Sequence, residues 1–74
     1  MISIELIFPV KAKRHCMRVD EMTTVSDLKK YICSVFNVRP EDIFILTSCE
    51  HIDDDMTLLR AGMYTGSGVV IDNG

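Results

Sequence analysis

No apolar run in this 74-residue sequence approaches the length of about eighteen residues that crosses a bilayer. Met1-Ile2-Ser3-Ile4-Glu5 also places a charge inside the N-terminal apolar stretch, unlike a signal peptide. A cytoplasmic protein without direct membrane insertion is expected. An even set of cysteines is missing too: Cys16, Cys33 and Cys49 cannot pair completely within one chain, which excludes the disulfide framework of a small secreted domain and points to a reducing compartment. There is no basic excess, the formal net charge being -3, which argues against general nucleic-acid binding. Repeats, linkers and low-complexity segments are absent, so residues 1–74 read as one domain. A chain this short hides only about 60% of its unfolded surface. Nearly all of its apolar residues must then serve the core, which leaves little room for an enclosed active site. An adaptor is expected rather than an enzyme, with no cofactor.

What is present has clear periods. Ile2, Ile4, Leu6 and Phe8 alternate with Ser3, Glu5 and Ile7, as in a strand with one buried face. Pro9-Val10-Lys11-Ala12-Lys13 interrupts it. His15, Met17 and Val19 then alternate with Arg14, Cys16 and Arg18 as the return strand of a hairpin. Thr24 precedes Val25, Leu28, Ile32 and Val35, spaced as on one helix face, with Asp27 in a variant capping box and Asn37 placed to end the helix in the left-handed conformation. Arg39-Pro40-Glu41-Asp42 reads as a turn and Ile43 to Thr47 as a third strand. Asp53-Asp54-Asp55 reads as a solvated loop, Thr57 to Ala61 as a turn beside a brief fourth strand, and Val69-Val70-Ile71 as the last strand.

One helix can cover one face of one sheet, so the expected class is α+β: a β-grasp with a mixed sheet of four to five strands packed on one helix. The first and last strands pair in parallel at its centre. The expected core is Ile4, Leu6, Met17, Val19, Val25, Leu28, Ile32, Ile45, Ile52, Leu58, Met63, Val69 and Ile71.

From Val19 to Ile71 the chain resembles ubiquitin. The residues that carry the resemblance are Thr24-Val25 with Leu28 and Ile32, Val38-Arg39-Pro40-Glu41-Asp42, Ile45-Leu46, and Ile52-Asp53-Asp54-Asp55-Met56-Thr57-Leu58. The first hairpin is expected to be slightly longer than in ubiquitin. Conjugation and sulfur transfer in that family depend on a flexible tail ending in two glycines. Asp72-Asn73-Gly74 does not match such a tail, so the resemblance implies an unconjugated protein; Lys29 matches a ubiquitin lysine, whereas Glu50 and Thr65 replace two others. Gly62-Met63 followed by Thr65-Gly66-Ser67-Gly68-Val69-Val70-Ile71 is similar to the small bacterial YukD and EsaB proteins, which implies an accessory role in type VII (WXG100) secretion. A conjugable modifier or sulfur carrier with a truncated tail, or a small β-grasp subunit of a multicomponent oxygenase, are the alternatives.

Three constellations invite chemical readings. His15 and His51 join the cysteines as potential zinc donors, Cys49-x-His51 being a local pair, but the spacing fits no zinc module and the side chains should not converge. The aspartate run lacks the alternating ligands of a calcium loop. Gly66-Ser67-Gly68 precedes a strand, whereas phosphate loops open a helix. No metal site, catalytic residue or nucleic-acid partner is expected, and no aromatic is interleaved with the basic segment Lys11 to Arg18. A protein partner is expected instead. Phe44 and Leu46 should face away from the helix, as should Ile7 and Val70, giving an apolar patch on the open sheet face flanked by Arg14 and Arg18. Self-association is the other use of such a patch.

Overall fold

The computed structural model describes residues 1–72. Asn73 and Gly74, with the expectation about the C-terminal tail, lie outside the described residues. Strand β1 (Ile2–Phe8) and strand β2 (Lys13–Val19) form an antiparallel hairpin with Ile2 opposite Val19 and Phe8 opposite Lys13. Its loop closes with the Ala12 N–H donating to the Pro9 carbonyl at 3.2 Å, and Ala12 takes a positive φ of 52°. Helix α1 (Val25–Phe36) has the expected bounds. The Asp27 N–H donates to the Thr24 hydroxyl at 3.1 Å, and Asn37 ends the helix at φ 56°. A single 3-10 turn at Pro40–Asp42 leads into strand β3 (Ile43–Leu46), and strand β4 (Gly68–Ile71) follows a long connection.

The sheet order is β2-β1-β4-β3, with β1 and β4 parallel at the centre and both outer pairs antiparallel. This is the β-grasp arrangement that the element order implied. The brief extra strand expected between β3 and β4 does not form. Residues 47–67 are loops and turns carrying an isolated bridge, Thr57 to Thr24. Its backbone groups are used at the start of the helix instead: the Val25 and Ser26 N–H groups donate to the carbonyls of Met56 and Asp54, at 2.8 and 2.9 Å. Two donors that every helix leaves unpaired are thereby satisfied. The aspartate run is exposed as expected but anchored at Asp54, whose carboxylate also lies 3.4 Å from the Lys29 ammonium.

Ile4, Leu6, Val25, Leu28, Ile32, Leu58, Met63, Val69 and Ile71 are buried as expected, and Phe8, Ile43 and Ala61 join them. Met17, Val19, Ile45 and Ile52 are only half-buried. Met17, Val19 and Ile45 sit on the outer strands β2 and β3, beyond the full cover of one helix. Val35, expected on the inner helix face, is exposed, and Phe36 packs against the core in its place. The rings of Phe8 and His15 draw Phe36 inward, their centroids lying 5.0 and 5.6 Å from its own. Among the described residues no helix is long and apolar enough to cross a membrane.

Candidate protein-binding face

Alternation along each strand sends every second side chain to the face opposite α1, and the register arranges these side chains in transverse rows. Arg14 lies opposite Ile7, Ile7 beside Val70, and Val70 opposite Phe44, one residue from each strand. The next row runs Cys16, Glu5, Gly68, Leu46, and Arg18 lies opposite Ser3 beyond it. All six residues named from the sequence thus share one face. Phe44 and Leu46 are each 51% exposed, while Val70 and Ile7, on the two central strands beside them, are half-buried.

Gly68 joins these side chains into one surface. A β-carbon there would stand 3.3 Å from the Ile7 Cδ1 and 3.4 Å from the Leu46 Cδ1, so the two side chains lean over the space the glycine leaves. The apolar centre is continuous from β1 across β4 to β3. The charged flank is less open than the sequence suggested. Arg14 Nη1 bonds Glu5 Oε1 at 2.9 Å, a diagonal pair on the same face, whereas Arg18 has no ion-pair partner among the described residues. Sequence reasoning missed Glu5 and Gly68. Alternation put Glu5 on the outer face of β1, but its pairing with Arg14 depends on the β1–β2 register.

The sulfur and imidazole groups take separate positions. Cys16 is exposed on the open face, and Cys33 is half-buried on α1. The Cys49 thiol donates to the His51 backbone carbonyl at 3.2 Å, not to its ring, and the His51 Nε2 lies 2.9 Å from the Asp53 carboxylate. His15 packs edge-on against Phe8 at 5.5 Å. Among the described residues no three His, Cys, Asp or Glu side chains converge as a metal-binding group.

A family model described as the USA1 ubiquitin-like domain matches residues 2–60. No curated protein matches the sequence. Among solved structures, the ubiquitin-like domain of Arabidopsis thaliana protein At2g32350 is 30% identical with a TM-score of 0.74, covering 95% of this chain and 73% of that one. The ubiquitin domain of mouse D7Wsu128e protein is 19% identical with a TM-score of 0.78, covering 99% and 74%. ATBAG1, crystallised in complex with HSP70, is 19% identical with a TM-score of 0.71; the match covers 99% of this chain and 41% of that one. The last two bear on the fold alone, and all three share the ubiquitin-like β-grasp.

Proposed function

The chain belongs to the USA1 ubiquitin-like domain family, and from that premise we propose that it is a non-catalytic, cytoplasmic protein-interaction module whose contact surface is the open sheet face. The observation that carries this reading is the pair Phe44 and Leu46, half exposed side by side and continuous with Ile7 and Val70 over Gly68. An apolar patch with a charged flank suits a protein contact, the centre setting the lifetime of the complex and Arg18 favouring an acidic rim on the partner. The cysteine content supports a reducing compartment.

The test is a double substitution, Phe44→Ser with Leu46→Ser. It is expected to leave the fold in place and to weaken partner recovery from cell extract by several kcal/mol, on the order of a hot-spot pair. Unchanged recovery, with loss on deleting Asp72 to Gly74, would move the contact to the C-terminus. Dissociation of a dimer by the same double substitution would assign the patch to self-association.

The narrower form of the proposal is an unconjugated accessory of bacterial type VII secretion. Its support is the similarity of the Gly62 to Ile71 stretch to YukD and EsaB; the matched family and the Arabidopsis and mouse structures add nothing to it. Secretion ATPase and WXG100 genes beside this one would support it, and hydroxylase genes would overturn it in favour of an oxygenase subunit. Adenylation of the natural chain by an activating enzyme would overturn the unconjugated form.

A further inference from the structure

At the end of the molecule where β2 finishes and α1 begins, the bridge between Thr24 and Thr57 continues as a short backbone contact. The Leu58 N–H donates to the Thr23 carbonyl at 2.8 Å, and the Leu59 N–H to the Glu21 carbonyl at 2.9 Å. The second bond sets Leu59 against the peptide that joins Glu21 to Met22. Leu58 is fully buried, whereas Met22 is 61% and Leu59 57% exposed. Two large apolar residues thus meet solvent at one spot, held together by backbone bonds.

The tip of the β1–β2 hairpin, at the opposite end, is a second exposed surface. Residues 9–13 are all exposed, with Val10 among the most exposed apolar side chains. The positive φ of Ala12 and its bond to the Pro9 carbonyl close this tip in one shape. Little freedom is then lost when a partner holds it. Lys11, Lys13 and Arg14 follow Val10, and neither lysine has an ion-pair partner among the described residues.

Charge selects what covers Met22 and Leu59. Asp20 and Glu21 precede Met22, and the Asp20 carboxylate accepts from the Met22 N–H at 2.9 Å. Asp53, Asp54 and Asp55 are exposed at the same end, tied to the helix start by the Asp54 carbonyl and the Ser26 N–H. Arg60 is the one cation in the turn over 57–61, and residues 9–19 contain no carboxylate. One chain therefore carries an apolar tip followed by cations at one end and an apolar spot among carboxylates at the other. Two copies meeting by like ends would set like charges together, which opposes association.

We propose that copies of this chain associate head to tail, the hairpin tip around Val10 of one copy seating on Met22 and Leu59 of the next, with Lys11 and Lys13 against the carboxylates of Asp20 and Asp55. The seven residues of β1, about 23 Å of strand, separate the two surfaces. A copy engaged at one end keeps its other end free, so the contact is heterologous and repeats into open chains. A loop tip covers little area, which makes each contact weak and chain length dependent on concentration. The Phe44 and Leu46 face stays uncovered in such a chain, and each reading stands or falls separately.

The test uses two variants of the whole chain, each disabled at one end: Lys11→Glu with Lys13→Glu, and Met22→Ser with Leu59→Ser. All four positions are exposed, so both variants should fold, and protected α1 amides in hydrogen exchange check this. In sedimentation equilibrium up to about 1 mM, the average mass of the parent is expected to climb with concentration and to pass two copies. Each variant alone should associate about tenfold more weakly or worse. Mixed together, the variants still offer one intact tip and one intact spot, and should form a 1:1 pair that grows no further. On mixing, amide NMR shifts should fall on residues 10–13 when the Met22→Ser, Leu59→Ser variant is the labelled one. They should fall on Met22 and Leu59 when the other is labelled. A parent that stays monomeric at about 1 mM, a mass that levels off at two copies, or a mixture that stays monomeric would overturn the proposal. Association kept in both variants and lost with Phe44→Ser and Leu46→Ser would give the contact to the open sheet face and overturn it as well.

Discussion

The Cδ1 of Ile7 on β1 lies 3.3 Å from the point where a β-carbon on Gly68 of β4 would stand, so the side chain of one strand occupies space that its parallel neighbour leaves open. Leu46 closes on the same point from β3 at 3.4 Å. Both neighbours are the far ends of flexible side chains, and Gly68 has no positive φ. Gly68→Ala is therefore expected to change stability by less than about 1 kcal/mol, the reduced freedom of the unfolded chain offsetting mild crowding. The Ile7 and Leu46 methyl groups should move outward. Urea unfolding and methyl NMR spectra check both parts, and unmoved methyl signals would contradict the packing.

The same patch should be nearly separable from the core. Phe44→Ser and Leu46→Ser remove half-exposed side chains and are expected to cost about 1 kcal/mol each or less. Leu28→Ala, at a fully buried position, should cost about 2–5 kcal/mol. Equal losses in urea unfolding would place the patch inside the core.

Backbone conformation gives a second contrast. Gly62 sits at φ 84°, and a β-carbon there would stand 2.7 Å from the Thr47 Oγ1. That hydroxyl donates to the Ala61 carbonyl at 2.8 Å and accepts from the Cys49 N–H at 3.2 Å. Gly62→Ala combines a strained φ with disruption of both bonds, an expected loss of about 2–4 kcal/mol. Gly66→Ala, at φ 98° with open space around it, meets only the backbone term of about 1–2 kcal/mol. Ala12→Gly, at φ 52°, should relieve strain and stabilise by up to about 1 kcal/mol. Thermal unfolding of the three variants should give this order.

Glu5→Gln removes the carboxylate paired with Arg14. Arg14 is exposed and Glu5 half-buried at the surface, so stability should change by less than about 1 kcal/mol. Added salt should shrink even that difference, and a loss in urea unfolding that is equal at low and high salt would mean that the pair contributes no Coulomb attraction.

Local signals made much of the architecture legible. The cap at Thr24 with Asp27, the inward spacing of Val25, Leu28 and Ile32, and Asn37 after the last turn depend on residues within a few positions of one another, and the helix forms between those bounds. The alternation in β1 likewise set Ile7 against Ile4, Leu6 and Phe8, and the short run Ile43 to Leu46 set Phe44 outward. These periods are properties of the extended and helical backbone itself, so the sequence alone determined the helix, the four strands that form and the outward turn of Ile7 and Phe44. It did not determine what lies across from each residue. Local spacing suggests a brief strand within 47–67 that does not form, since the partners of Asp54 and Met56 are helix-start donors some thirty positions earlier in the chain. Cover by a single helix left Met17, Val19 and Ile45 half-buried. The Glu5–Arg14 pair and the closure of Ile7 and Leu46 over Gly68 exist only once strand order and register are set. Those are choices among long-range pairings, which no local spacing encodes and which the packing of the whole sheet on α1 decides.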